Sequence, residues 1–164
     1  MLMIDDNTFY NELCDCSKKL HDLMRKDDSV VSKLVNSAMT FIWLWEFARN
    51  EGLLSLEEAA ESDRIKDQVL GNELPGIMML IVDGTDPEIV EEICLRKYYT
   101  SDYSILERFL FLVYMNLLIC IQTGESSYIL KERLFAMMPD KVNDEIERLL
   151  EKEDENPLQI KIKL

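Results

Sequence analysis

Glu57, Glu58 and Glu61 crowd three carboxylates into residues 57–61, the raw material of general acid–base catalysis wherever a desolvated pocket raises the pKa of one of them. Cys14, Cys16 and His21 offer thiolate and imidazole to a metal ion. Within one helix, however, residues two apart point to different faces, and no second ligand cluster follows, so the spacing predicts no metal. A third arrangement lies in the stretch RNEGLLSLEE, where Arg49 and Glu57 stand eight residues apart across Gly52. Opposite charges flanking a helix joint suit docking better than bond chemistry. With one histidine, five glycines, no phosphate-cradling loop and no Ser/His/Asp or paired H-x-x-H pattern, the sequence offers no catalytic set and no cofactor motif.

These residues must be held by helices. The chain has 164 residues, 48% of them hydrophobic, enough for one domain with a real core. Its net charge of -14 repels nucleic acid and anionic membranes and leaves protein partners of basic or mixed charge. The N-terminal MLMIDDNTFY lacks the basic start and apolar core of a secretory signal, so a cytoplasmic location is expected, with the four cysteines as free thiols. The longest apolar run, Phe109 to Ile121, is interrupted by Asn116 and is shorter than the roughly 20 residues of a membrane span. It reads as a core helix, and no membrane insertion is expected.

Apolar spacing is helical nearly throughout, and the predicted class is all-α: a single compact multi-helix domain over 1–156 with a short extended tail over 157–164. Phe9, Leu13, Cys16, Leu20, Leu23 and Met24 form a first stripe. A second helix runs from about Val30 to Asn50 and stops at Gly52. Ser55 and Glu58 make a capping-box pattern, starting a helix near Leu56. Gly84 ends an apolar helix, and Asp86 before Pro87 starts the next, with the carboxylate as cap. Further helices are expected from about Asp102 to Gln122, from Ser126 or Ser127 to Pro139, and from Asp140 to Glu155. The tail PLQIKIKL alternates apolar and polar residues as a strand does. Most of the aromatic cluster Phe41, Trp43, Trp45 and Phe47 is expected in the core. No repeat of twenty to fifty residues is evident.

Together with RNEGLLSLEE, the stretches GIMMLIVDGTDPEIVEEI (76–93) and LLICIQTGESSYILKERLFAMMPDKV (117–142) resemble the cytoplasmic parts of MotA, the stator family of the bacterial flagellar motor, related to TolQ and ExbB. The resemblance covers about 40–97 and 104–142, in family order, and leaves residues 1–37 without a counterpart. The family's membrane spans have no equivalent. YYTSDYSILERF stands where two spans would lie, and twelve residues cannot cross a bilayer and return.

The resemblance therefore implies a MotA-like interaction module without ion conduction. It also implies that Arg49 and Glu57, which occupy the motif positions of the family's rotor-contacting charges, form a partner-binding surface for the rotor protein FliG. On the residues alone, Arg49 can instead pair with Glu46, and Glu57 can complement its helix dipole. Two further readings stand beside docking: a structural homo-oligomer formed by self-association, and a small enzyme using Glu57, Glu58 and Glu61.

Overall fold

The computed structural model describes residues 6–155, and the expected strand in the tail falls outside them. Among the described residues nine helices form: α1 (Asp6–Lys26), α2 (Ser29–Glu51), α3 (Ser55–Glu61), α4 (Asp63–Lys66), α5 (Leu74–Val82), α6 (Pro87–Thr100), α7 (Ile105–Gln122), α8 (Ser127–Met137) and α9 (Asp140–Glu155). The all-α expectation is met, and the observed ends fall within a few residues of the expected ones. The main displacement is at α7, which starts at Ile105 rather than Asp102. Its start carries a capping box that the sequence reading missed: Ser104 Oγ accepts from the Glu107 amide, and the Glu107 carboxylate accepts from the Ser104 amide.

Helix α7 is the axis of the fold. From Phe109 to Leu118 every side chain is buried. A helix that is apolar on all sides belongs either in a core or in a bilayer. By length and composition α7 could cross a membrane, yet 72% of it is buried by its neighbours. Those neighbours are α1, α2, α5, α6 and α8. The apolar stripe of α1 faces α7, with Phe9, Cys16 and Leu20 in the core. Phe41 on α2 stacks on Tyr114 of α7 at 4.9 Å between ring centroids. The Tyr114 hydroxyl, fully enclosed, is satisfied by Ser37 Oγ at 2.8 Å, which removes the penalty of burying it. Trp43 and Phe47 are half-buried and stack on one another, with the Arg64 guanidinium carbon 4.7 Å above the Trp43 ring.

The other helices are arranged in a cycle. Hairpins α2/α3, α5/α6 and α7/α8 each send their second helix onto the first helix of another: α3 packs on α5, α6 on α7 and α8 on α2. Helix α9 lies along α2 and buries Val142 and Ile146. One face of α9 docks; of the four glutamates that its charge pattern leaves in solvent, Glu147 and Glu151 are exposed, whereas Glu145 and Glu153 are half-buried.

Candidate functional site

The turns that close the three hairpins gather at one end of the bundle. Gln122 Nε2 on α7 donates to the Thr85 carbonyl in the α5–α6 turn at 2.6 Å. Trp45 Nε1 on α2 donates to the Glu125 carbonyl in the α7–α8 turn at 3.1 Å. Thr85 and Glu125 occupy the same place, one residue beyond Gly84 and Gly124 respectively, so each turn is fastened through its equivalent carbonyl by a side chain from a neighbouring helix.

These two turns share one backbone plan. Gly84 has φ 76° and Gly124 φ 72°. The Thr85 amide reaches back to the Leu80 carbonyl at 3.0 Å, and the Glu125 amide to the Cys120 carbonyl at 3.1 Å. Each glycine amide bonds the carbonyl three residues before it, which completes a Schellman motif. The match extends into α6 and α8: Val90, Cys94 and Tyr98 are buried, and so are Leu130, Leu134 and Met138 at an offset of 40 residues, while Ile89 and Ile129 are both exposed. The structure therefore contains a repeated helix–turn–helix unit that the sequence reading did not find. Most identities have diverged: the glycine, the burial rhythm and a few residues such as Ile81/Ile121 and Ile89/Ile129 persist.

The start of α6 corrects a second expectation. Asp86 is its N-cap residue and Pro87 its first helical residue, but the Asp86 side chain makes no capping hydrogen bond. In α8 the expected cap does form, with Ser126 Oγ accepting from the Ile129 amide at 3.3 Å. The predicted capping box at Ser55 and Glu58 is also absent. Leu54 is the N-cap residue and Ser55 the first residue of α3, and Ser55 Oγ donates to the Gly52 carbonyl at 2.6 Å instead of accepting from an α3 amide. The physical reason is the preceding turn: residues 52–55 close on themselves through the Ser55 amide and the Gly52 carbonyl, so Ser55 arrives already helical and its hydroxyl points backwards.

Around this α2–α3 turn lie the sequence-predicted partner-binding residues. Arg49 sits in the last turn of α2 and Glu57 in the first turn of α3, both exposed. No hydrogen bond or ion pair joins them. Rather than pairing with Glu46, the Arg49 guanidinium lies over the Trp45 indole, its carbon 5.0 Å from the ring centroid, a contact worth about 0.5–1 kcal/mol at an exposed site. Between the two charges stand Leu53 and Leu54, 37% and 72% exposed. Sequence reasoning passed over them, although two leucines after a helix-stopping glycine were a visible signal. Beside them, a cleft of about 450 Å³ opens between the ends of α2 and α7 and the start of α8, lined by Trp45, Ala48, Arg49, Leu53, Ile121 and Ser126. In the first turn of α8, Tyr128 and Ile129 are 68% and 40% exposed.

The groups with chemical potential are dispersed. Glu57, Glu58 and Glu61 are exposed on the surface of α3. Cys14 is exposed and Cys16 buried, so they face different ways along α1, and His21 is exposed a turn further on. Two of the buried thiols are held protonated: burial, then the neighbouring Glu91, pushes Cys94 up to about 12, and burial raises Cys120 to about 11. Tyr98 is also raised, first by burial and then by its Cys16 contact, while its hydroxyl donates to Glu12 at 3.0 Å and fastens α6 to α1. The arrangement thus offers a mixed apolar and charged end, with its reactive side chains either solvated or locked in the core. None of the family models, curated proteins or solved structures compared with the chain matches it.

Proposed function

We propose that this chain is a docking module: a cytoplasmic, MotA-like helical protein that binds a protein partner through the turn end of its bundle and carries no ion. The partner that the resemblance implies is FliG. The observation that carries the reading is the α2–α3 turn, where exposed Leu53 and Leu54 lie between the exposed charges of Arg49 and Glu57. Apolar contact supplies adhesion there, and charges on either side select orientation and speed encounter. A transient contact with a moving partner calls for this balance, since charge steering raises the association rate without slowing release.

The test is binding of the purified chain to the C-terminal domain of FliG from the same organism. Arg49→Glu and Glu57→Arg, singly and together, should each weaken association, and charge swaps on the rotor side should partly restore it. Raised salt should shrink the differences, because exposed charges are screened over a Debye length of about 8–10 Å. Both side chains are exposed, so folding serves as the control, with a change below about 1 kcal/mol. Absence of association at low salt would end the rotor reading.

A second reading, self-association, is favoured by Ile89 and Ile93. They stand one turn apart on α6, 45% and 41% exposed. Sedimentation over a concentration series tests it, and Ile93→Lys should shift any dimer toward monomer.

A further inference from the structure

Asn116 breaks the longest apolar run of the sequence, and the fold buries it to 7% exposure. A carboxamide brings polar capacity that leucine would not: two N–H donors and an accepting oxygen. Among the described residues its side chain makes one hydrogen bond, Oδ1 accepting from Cys120 Sγ at 3.9 Å, and Nδ2 donates to nothing. A thiol is a weak donor, so both ends of the amide keep capacity whose loss from water is costly unless a partner restores it. Asn116 lines a cleft of about 470 Å³ between the start of α6, the second half of α7 and α8.

The cleft is a groove with a buried end and an acidic mouth. Gln122 donates to the Thr85 carbonyl at one end of the α6/α7 pair, and the Tyr98 and Phe111 rings lie 6.1 Å apart at the other, so the helices run antiparallel. That register sets Glu91, 2% exposed, opposite Asn116, and Glu88 opposite Cys120. Arg133 at the far wall is committed: Nε and Nη2 both donate to the Glu125 carboxylate at 3.0 Å. Asp86 and Glu88 at the mouth are exposed, and neither joins an ion pair among the described residues. Their field favours a cation and repels a carboxylate. Among the described residues no three His, Cys, Asp or Glu side chains gather closely enough to hold a metal ion, so the charge suits an organic ammonium. At the buried end, Nδ2 of Asn116 needs an acceptor while Oδ1 can take a second donor, and a hydroxyl is both. Glu88 and Glu91 are one turn apart, a rise of about 4.5 Å, and Ile119 and Pro87 supply apolar lining between the two ends.

We propose that this groove binds a small amino alcohol, its hydroxyl held by Asn116 at the buried end, its short alkyl chain against Ile119, and its ammonium between Glu88 and Asp86 at the mouth. Glu125 is the one residue shared with the cleft beside Arg49. The site therefore stands whether or not the α2–α3 turn docks a partner.

The test titrates the full chain with aminobutanol, n-butylamine and n-butanol, followed by amide NMR shifts and calorimetry. Aminobutanol should give saturable shifts within 86–91 and 116–123, and the two compounds lacking one end should bind at least tenfold more weakly. Glu88→Gln, at an exposed position, should weaken aminobutanol several-fold and leave butanol unchanged. Asn116→Leu removes the amide and should erase the preference for aminobutanol over butylamine. Butylamine binding as tightly as aminobutanol to the wild type would reduce the effect to the general attraction of an acidic protein for cations and overturn the proposal. So would shifts confined to other parts of the molecule, no saturable binding, or a preference that survives Asn116→Leu. Should that variant fail to fold, the ranking of the three compounds and the response to Glu88→Gln decide the matter without it.

Discussion

The turns at Gly84 and Gly124 and the turn at Gly52 do the same topological job by different means. The first two are Schellman turns, each fastened by a side chain donated from another helix, Gln122 in one case and Trp45 in the other. The α2–α3 turn is held by local bonds from Ser55 to the Gly52 carbonyl, with no hydrogen bond from a neighbouring helix. The fastened turns have diverged in sequence while keeping their geometry. The unfastened one projects two leucines and sits between opposite charges. Where the scaffold supplies the constraint, residue identity is free to drift; where local chemistry alone holds the chain, its outward side chains are available for contact.

The sharpest way to break this comparison is at the glycines. Gly52 has φ 89° and ψ 167°, a region open essentially to glycine alone, so Gly52→Ala should cost about 2–3 kcal/mol. Gly84 and Gly124 need only a left-handed φ, and an added Cβ meets nothing within 4 Å at any of the three. Gly84→Ala and Gly124→Ala should therefore cost about 1 kcal/mol each, and Gly84→Val about 1–3 kcal/mol because a β-branched residue resists positive φ. Urea unfolding midpoints read the order directly. Equal losses for the three alanine variants would show that the turns are mechanically alike.

That order was only partly legible in the sequence. Gly84 before TDPE announced a helix end, and the helix periods of α1, α2 and α9 were written in their apolar stripes, whereas α7 was marked by its long apolar run. The repeated unit was hidden because Gly84 and Gly124 are followed by TDPEIV and ESSYIL, which share a rhythm of burial and few residues. The failed capping box at Ser55 is a matter of tertiary override. The S-x-x-E pattern is a local signal, and the turn closing on the Gly52 carbonyl had already set the direction of the serine hydroxyl. Likewise Arg49 and Glu57 were placed correctly as flanking, exposed charges, but the cleft beside them depends on α7 and α8, distant in sequence.

The fastening bonds come next in size. Trp45→Phe keeps most of the ring packing and removes the donor to the Glu125 carbonyl, and Gln122→Leu removes the donor to Thr85. Each should cost about 1–2 kcal/mol, the usual penalty of leaving a partly buried acceptor unmade. Amide hydrogen exchange should rise first at the turn that loses its fastener. Exchange rising equally at the α2–α3 turn would show that the three turns open together.

A smaller contrast separates the two Schellman turns. Ser126 caps α8 through its side chain and Asp86 does not cap α6. Ser126→Ala should cost about 1 kcal/mol. Asp86→Ala should lose only the charge–dipole contribution, about 0.3–0.5 kcal/mol and weaker in salt. Thermal unfolding at two salt concentrations tells them apart. A large, salt-independent loss for Asp86→Ala would mean that its carboxylate does more than face the dipole.

The smallest effect concerns charge near the end of α9, beside α2. Burial first, and then Glu46, holds Glu153 above the ordinary carboxylate range, with Arg64 partly offsetting both. A raised folded-state pKa means that this group's contribution to stability is fully present below its unfolded pKa and is lost as pH rises through the folded value. At neutral pH the ionised Glu153 is therefore a mild liability. Glu153→Gln should raise the stability by about a few tenths of a kcal/mol, within the range of surface changes, and the gain should disappear below the carboxylate range, where wild type is protonated too. Glu145, on the same helix, provides the opposite sign. Its hydrogen bond to Arg148 lowers its pKa, so its stabilising contribution is present above the unfolded pKa and is lost as pH falls through the folded one. Glu145→Gln should therefore destabilise at pH 7 and become silent in acid. Unfolding curves for both variants between pH 3 and pH 8 should converge on wild type from opposite sides. If Glu153→Gln instead lowers stability at pH 7, the attraction of Arg64 and Lys131 outweighs burial, and this end of α9 is held by its charges rather than strained by them.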